Sequence, residues 1–346
     1  MFQKKVLLLC LLVLAVGLLS ACQQKKEAAK TDSEPLYVYT QTAEDIAGWT
    51  SMVTPGGGEG TVEAGDGVAI IKAAADGWGG VQSAPITVDF SKNPMLLVRV
   101  KENADGFKWG AKFVPSDPKI DDHAWGVYLI EDNNFKWNNY GAVNMRDKVG
   151  EDFISLYGEQ VEGVLWLYAA GSPDAVVEVT EVKIMNLTAA ENRFSYTQTA
   201  EDIAGWTSMV TPGGGEGTVE AGDGVAIIKA AADGWGGVQS APITVDFSKN
   251  PMLLVRVKEN ADGFKWGAKF VPSDPKIDDH AWGVYLIEDN NFKWNNYGAV
   301  NMRDKVGEDF ISLYGEQVEG VLWLYAAGSP DAVVEVTEVK ILEEQK

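Results

Sequence analysis

Short runs in which apolar and polar residues alternate dominate the chain after its first 40 residues. A period of two places one set of side chains on each face of a β-strand. Leu96, Val98 and Val100, for example, alternate with Arg99 and Lys101. Gly, Asp, Asn and Pro separate these runs, as they do at turns. The pattern predicts an all-β fold in which antiparallel strands form a sandwich or a barrel.

Seven such runs predict strands in the first half of the chain. They cover residues 68–72, 86–90, 95–101, 107–114, 125–130, 164–169 and 176–184. The link between the third and the fourth run is short, so we expect these two strands to pair as a hairpin. The sequence Thr-Ala-Glu-Asp at residues 42–45 resembles a capping box, which predicts a short helix over residues 43–49.

The whole pattern occurs twice. Residues 39–184 return without a substitution as residues 196–341. A block of this length has the size of a domain, whereas solenoid units run roughly 20–50 residues. It is long enough to bury its own core, so we predict that each copy folds alone. The identity reflects either a recent duplication or an artefact of assembly.

The first 21 residues have a different pattern. Lys4 and Lys5 precede an apolar run over residues 6–19, which is too short for a typical spanning helix of about 20 residues. The sequence Leu-Ser-Ala-Cys follows and ends at Cys22, and it resembles the lipobox of bacterial lipoproteins. That resemblance implies cleavage before Cys22 and a diacylglycerol anchor on its thiol, which would hold the protein on the outer side of a membrane. The alternative is an ordinary signal peptide with a chance cysteine at the cleavage site.

These patterns divide the chain into six parts. They are a lipoprotein signal peptide (1–21), the lipidated cysteine with a polar tether (22–36), a first β-sandwich (37–184), a connector (185–195), a second β-sandwich (196–342) and a tail (343–346).

Charge and rare residues exclude several functions. The formal net charge is −21, and an acidic surface repels phosphates, so we expect no nucleic-acid partner. Both cysteines, Cys10 and Cys22, precede the copies, which excludes disulfides and cysteine metal sites within them. His123 is the single histidine of the first copy, which excludes a histidine triad or a two-histidine metal site there.

Paired carboxylates would be needed for glycoside hydrolysis. Asp121 with Asp122, and Glu131 with Asp132, are the candidates, but adjacent residues of a strand point to opposite faces. We therefore interpret these carboxylates as solvated surface and expect no enzyme activity and no organic cofactor. A structural calcium ion, held by oxygen atoms of residues 117–122, is the cofactor that such acidic loops suggest.

Part of each copy is similar to a known family. The positions concerned are Val88-Asp89-Phe90, Pro94, the Lys-Trp-Gly-Ala-Lys of residues 108–112, and residues 176–184. They resemble the non-catalytic, galactose-binding-like jelly-roll modules that accompany bacterial glycoside hydrolases. The resemblance implies two identical antiparallel β-sandwich domains in tandem that bind carbohydrate. No catalytic domain accompanies them here, which is a departure from the usual arrangement.

Six tryptophans in each copy offer flat apolar rings that can stack on sugar rings. The alternation around Trp109 predicts a core position, and Trp49 is expected to pack as a lid on the sandwich. Trp166 shares one face of its strand with Tyr168, while Leu165 and Leu167 share the other. The pattern leaves open which of these two faces is core and which is a concave surface.

The candidate ligand-binding residues lie where the strand period does not require a core position. Trp78 stands between glycines, and Trp137, Asn138 and Tyr140 lie in an Asn-rich run. We predict that Trp78, Trp137 and Tyr140 form one surface at an end of the sandwich, with Trp125 beside them and Asn138 donating hydrogen bonds. The alternatives are a plug over the core for Trp78 and a single anchoring ring for the Asn-rich run. The corresponding residues of the second copy are Trp235, Trp282, Trp294, Asn295 and Tyr297.

The prediction is therefore a membrane-anchored lipoprotein with two non-catalytic modules that bind a carbohydrate polymer or oligosaccharide. The competing hypothesis is a structural or adhesin-like surface protein whose sandwiches bind a protein partner or act as spacers. Exposure of the candidate aromatic rings in one groove distinguishes the two.

Overall fold

A computed structural model describes residues 35–54, 56–103, 107–133, 139–211, 214–260, 264–290 and 296–344. The strands of the first copy are β1 Tyr37–Thr42, β2 Thr50–Met52, β3 Thr61–Ala64, β4 Ala69–Lys72, β5 Trp78–Gln82, β6 Ile86–Asp89, β7 Pro94–Asn103, β8 Lys108–Pro115, β9 Val127–Asn133, β10 Asn139–Asn144, β11 Gln160–Ala170 and β12 Val176–Asn186. Its helices are α1 Ala43–Ala47 and α2 Met145–Tyr157, with 3-10 turns at Phe90–Lys92 and Asp121–Trp125. The connector forms α3 Leu187–Ala190 and a 3-10 turn at Glu191–Arg193.

The second copy repeats this order. Its strands are β13 Phe194–Thr199, β14 Thr207–Ser208, β15 Thr218–Ala221, β16 Ala226–Lys229, β17 Trp235–Gln239, β18 Ile243–Asp246, β19 Met252–Asn260, β20 Lys265–Pro272, β21 Val284–Asn290, β22 Asn296–Asn301, β23 Gln317–Ala327 and β24 Val333–Leu342. Its helices are α4 Ala200–Ala204 and α5 Met302–Tyr314, with 3-10 turns at Phe247–Lys249 and Asp278–Trp282. The predicted all-β fold is confirmed.

Each copy is a sandwich of two antiparallel sheets. In the first copy the small sheet has the order β2-β5-β11-β8-β9, with β6 also paired to β11. The other sheet has the order β3-β4-β12-β7-β10, with β1 also paired to β12. Phe90, Phe113 and Phe153 meet edge to face between the sheets, with ring centroids 5.8–6.5 Å apart. Such contacts add to the free energy gained by burying the rings.

The predicted hairpin of residues 95–101 with residues 107–114 is wrong. Strand β7 pairs with β10 and β12, whereas β8 pairs with β9 and β11. The two strands therefore belong to opposite sheets, and residues 104–106 between them lie outside the described residues. A short link is compatible with a crossing as well as with a hairpin, and strand periodicity does not separate the two.

The second helix was not predicted from the sequence. Asn144 caps α2 by accepting a hydrogen bond from the backbone N–H of Asp147. Gly150 has φ +77° and ψ +168° inside it, so two helical turns meet at a kink. Phe153 and Ile154 then enter the core. Apolar residues recur every four positions from Met145 to Tyr157, so a helical period is present in the sequence, but a glycine in the middle of the run weakens the prediction of a helix.

The two copies share one sheet. Strand β10 of the first copy pairs antiparallel with β22 of the second. The sheet that contains β10 and the sheet that contains β22 have six strands each, so they join into one sheet of twelve strands within the described residues. A Cβ added to Gly141 would point at Trp109 in the first core, and one added to Gly298 would point at Trp266 in the second. Because directly opposed residues face the same side of a sheet, both small sheets lie on the same side of the shared sheet.

A second apolar cluster covers the opposite face of this junction. Tyr140 and Tyr297 are buried in it, and the connector supplies Ala190 to the cluster and packs Leu187 and Phe194 against it. The connector thus lies over the seam between the copies. Leu36–Lys346 forms one compact unit by its contacts.

Candidate aromatic binding face

The small sheet of each copy has one face in the core and one face turned outward. On β11, Leu165 and Leu167 join the core, whereas Trp166 and Tyr168 belong to a separate outer cluster. On β8, the Lys112 side chain lies beside the ring of Trp166. The question that the alternation of residues 164–169 leaves open is thereby answered, because the leucines face the core.

Five rings form this outer surface, which we call the aromatic face: Trp78, Trp125, Tyr128, Trp166 and Tyr168. Ring centroids are 5.5 Å apart for Trp78 and Tyr168, 6.3 Å for Tyr128 and Tyr168, and 6.5 Å for Trp125 and Trp166. These spacings are typical of favourable aromatic pairs. Trp166 and Tyr168 are buried beneath the others, while Trp125 is 43% exposed and Tyr128 is 41% exposed.

Two glycines make room for the Tyr168 side chain on the sheet. A Cβ added to Gly110 would lie 2.3 Å from the Tyr168 hydroxyl oxygen. One added to Gly80 would lie 2.6 Å from the Tyr168 Cα. Either side chain would displace strand β11 or the ring, so the flat floor of the aromatic face depends on these glycines.

Lys112 stands at the centre of the aromatic face. Its Nζ donates a hydrogen bond of 3.1 Å to the backbone carbonyl of Trp125. The same atom lies 3.9 Å from the ring centroid of Tyr128 and 5.1 Å from that of Trp78, which are cation–π distances. Burial lowers the pKa of Lys112 to about 8, and the Glu131 carboxylate opposes this shift. The ammonium therefore holds the Trp125 segment and the Tyr128 ring against the sheet.

The edge of the face near Trp78 is fixed by Asp76. The Thr54 hydroxyl donates a hydrogen bond of 2.8 Å to one carboxylate oxygen of Asp76. The backbone N–H of Trp78 donates to the other oxygen at 3.3 Å. Gly77 lies between them with φ +81°, a conformation that glycine adopts without strain. Trp78 thus begins a strand and does not lie in a free loop.

The second copy has the same arrangement. Its rings are Trp235, Trp282, Tyr285, Trp323 and Tyr325. Lys269 takes the place of Lys112, with Nζ 3.1 Å from the Trp282 carbonyl and 3.9 Å from the Tyr285 ring centroid. The chain therefore carries two equivalent aromatic faces.

The predicted residues Trp78 and Trp125 come together on this face, but Tyr140 does not. Tyr140 is 4% exposed, and its hydroxyl donates a hydrogen bond of 2.6 Å to Glu181. Burial and the Glu181 carboxylate raise the pKa of Tyr140. The expectation that Tyr140 is exposed beside Trp78 is wrong, because β10 lies in the middle of the shared sheet. Tyr297 is buried in the same way.

Four other predicted residues lie outside the described residues. They are Trp137, Asn138, Trp294 and Asn295. The positions predicted for these four residues stay predictions, whereas Trp78 and Trp125 belong to the aromatic face.

Sequence reasoning missed Tyr128 and Lys112 as members of the site. A signal for Lys112 was present, since the alternation of residues 107–114 places it opposite the core residue Trp109. Trp125 was expected at the start of a strand, yet it ends the 3-10 turn Asp121–Trp125, which precedes β9. That turn brings its ring over Trp166.

A second cluster of polar and aromatic groups surrounds His123. Its Nδ1 lies 3.0 Å from the Tyr157 hydroxyl, and its ring packs 5.3 Å from that of Phe153. These contacts attach the 3-10 turn to α2. Across the described ranges, no three His, Cys, Asp or Glu side chains gather as a metal site would require. Nor does any described helix have the length and apolarity to cross a membrane.

Comparison with known proteins gives distant structural likenesses. No family model matches the chain, and no curated protein does. The tandem CBM22-1–CBM22-2 domain of Paenibacillus barcinonensis Xyn10C is 12% identical, covers 92% of this chain and 100% of its own, and has a TM-score of 0.28. The glycoside hydrolase domain of Endo-D from Streptococcus pneumoniae R6 is 11% identical, covers 88% of this chain and 37% of its own, and has a TM-score of 0.25. Likenesses with such TM-scores carry no argument about function.

Proposed function

We propose that each copy binds carbohydrate on its aromatic face and does not catalyse a reaction. The observation that carries this proposal is the exposure of Trp125 and Tyr128 above a floor formed by Trp78, Trp166 and Tyr168. Apolar C–H faces of sugar rings stack on such flat side chains. A mostly apolar surface with a few placed polar groups is the usual composition of a small-molecule site.

Polar groups at the face suit the hydroxyls of a sugar. Lys112 is 5% exposed and its ammonium donates to the Trp125 carbonyl, so it orders the rings from within. Gln82 is fixed at the base of the face, because its Oε1 accepts a 3.0 Å hydrogen bond from the Trp166 Nε1. The hydroxyl of Tyr128, on a half-exposed ring, can donate and accept. Stacking would give affinity, and these groups would select among sugars.

Binding without catalysis agrees with the charge at this face. Glycoside hydrolysis uses two carboxyl groups that flank the scissile bond. The centre of the aromatic face instead holds the Lys112 ammonium. Because burial lowers its pKa to about 8, Lys112 remains mostly charged at neutral pH and is a donor there.

The proposed location is the outer side of a membrane, with Cys22 carrying the lipid anchor. The support for this part of the proposal is the sequence Leu-Ser-Ala-Cys after a charged and an apolar segment. Two acyl chains on one cysteine are enough for stable anchoring. The two aromatic faces would then hold a carbohydrate polymer near that surface.

Carbohydrate binding is tested with the intact chain on a panel of immobilised plant and bacterial polysaccharides. A bound polysaccharide is then titrated in soluble form while tryptophan fluorescence is followed, because Trp125 is exposed and reports on stacking. The proposal predicts saturable quenching by at least one polysaccharide. Absence of binding across the panel would favour the structural or protein-binding alternative.

A further inference from the structure

The junction between the copies is built from the same residues on both sides. Tyr140 lies opposite Ala299, Gly141 opposite Gly298, and Ala142 opposite Tyr297. Reading the register from either strand gives the same pairs, so a local two-fold axis passes between the two glycines. Such an interface is isologous, which means that one surface recognises a second example of itself.

The charges at the junction obey the same symmetry. The Arg99 Nη2 donates a hydrogen bond of 2.8 Å to Asp304 of the second copy. Arg256 of the second copy makes the reciprocal ion pair with Asp147. Each arginine also lies over the tyrosine ring of its own copy, at 5.6 Å for Tyr140. Each copy therefore contributes one cation and one anion at equivalent positions.

The residues that form these contacts are identical in the two copies. Residues 139–144 repeat as 296–301, Arg99 as Arg256 and Asp147 as Asp304. Every contact between the paired strands and between these charges can consequently form between two first copies or between two second copies. Two unrepeated features distinguish the partner within the chain from a partner outside it: the connector and the hydrogen bond that Tyr37 donates to Glu344 in the tail.

We propose that this edge is a self-recognition surface whose alternative partner is the same edge of a second copy of this chain. Within one molecule the connector keeps the effective concentration of the two edges high, on the order of millimolar. The closed arrangement is then favoured in dilute solution. Chains would exchange partners where the internal junction is weakened or where they are crowded on a surface.

Charge reversal in one copy alone tests this in the full chain. The variant Arg256→Glu with Asp304→Arg places like charges at both internal ion pairs. It leaves first-to-first and second-to-second pairing complementary, because each copy still carries one cation and one anion. We expect light scattering after gel filtration, at hundreds of micromolar protein, to show a mass at least twice that of the parent.

Two matched variants complete the test. Arg99→Glu with Asp147→Arg should oligomerise in the same way, because it reverses the other copy. The fourfold variant, with all four changes, restores opposite charges across the internal junction and should return to the parent mass. Near-ultraviolet circular dichroism checks that each variant keeps its tertiary packing.

A monomeric mass for both half-reversed variants would overturn the proposal. Oligomers that persist in the fourfold variant would also overturn it, since they would reflect general destabilisation and not edge recognition. No carbohydrate enters these measurements, so their outcome is independent of the proposed binding function.

Discussion

At the residue scale, the aromatic face depends on which side chains of neighbouring strands point to the outer side of the small sheet. The pattern predicted the burial of Trp109, and Trp109 is 1% exposed. It placed Trp78 among the candidates because glycines surround it, and Trp125 because it was expected at the start of a strand. It could not place Tyr140, because the Asn-rich run that precedes β10 is typical of a loop. Nothing local to Tyr140 shows that another copy pairs with its strand.

The charged state of Lys112 opposes folding at neutral pH. Burial lowers its pKa to about 8 from the ordinary 10.5. Between these values the unfolded chain binds more protons than the folded chain, so this group raises the free energy of unfolding as the pH increases. One pKa unit corresponds to about 1.4 kcal/mol, and solvent screening reduces the effect of a group that is not fully buried, so we expect on the order of 1–2 kcal/mol for Lys112. The rise is complete only above about pH 10.5.

This effect is measured against a variant with Lys112→Met and Lys269→Met. Chemical denaturation of both proteins is followed at pH 7 and at pH 9.5. We expect the parent to gain stability relative to the variant over this interval, because the other titrating groups are the same in both. A difference in the free energy of unfolding that does not change with pH would contradict the assignment.

At the element scale, the strand pattern missed β1, β2, β3, β5 and β10 of the first copy, and the one pairing that it predicted was wrong. The seven predicted strands of the first copy all have observed counterparts, with shifts of a few residues at their ends. The pairing of β7 with β8 failed because a five-residue link can either turn within a sheet or cross between sheets. Likewise, α2 was not predicted although its apolar residues recur every four positions, because Gly150 in the middle of the run is unfavourable in a helix.

Close packing at the junction strand requires glycine. A Cβ at Gly141 would lie 2.5 Å from the Trp109 ring. We therefore expect Gly141→Ala, together with Gly298→Ala, to lower the free energy of unfolding by about 1–3 kcal/mol per site, as overpacking does. Thermal melting measures the change. The variant Ser51→Ala is the control, because Ser51 is exposed. A glycine such as Gly57 is unsuitable as a control, because its φ of +80° would strain any other residue.

At the scale of the whole molecule, the duplication creates a twelve-stranded sheet that neither copy has alone. Each sandwich has its own core phenylalanines, which is consistent with independent folding. The junction adds the burial of Tyr140 and Tyr297 and two ion pairs. The sequence showed the duplication directly. It could not show the shared sheet, since the apolar period of β10 is satisfied equally by any partner strand.

An isolated first copy tests this balance between core and junction. We expect residues 37–187 alone to unfold cooperatively, because the core of the sandwich is complete within them. The exposed β10 edge should make the melting temperature rise with protein concentration, since association stabilises the folded form. A chain without a cooperative transition at any concentration would show that the copies are obligate partners.

Anchoring is tested on cells that express the full chain. We expect the Cys22→Ala variant to leave the detergent phase in a Triton X-114 partition, because no thiol remains to accept diacylglycerol. The variant Cys10→Ala is the matched control, since Cys10 lies inside the apolar run of the signal segment. Equal partitioning of the Cys22→Ala variant and the parent would contradict lipidation at this position.

Carbohydrate binding on the aromatic face is tested by a titration of two proteins. The parent is compared with the variant Trp125→Ala, Trp282→Ala, using a polysaccharide that the parent binds. Thr40→Ala with Thr197→Ala serves as the control, because these residues are exposed on β1 and β13, which belong to the other sheet. Loss of a stacking ring costs on the order of 1–3 kcal/mol, so we predict roughly 10- to 100-fold weaker binding by the tryptophan variant at an unchanged melting temperature. Equal affinity of the tryptophan variant and the parent would contradict the account.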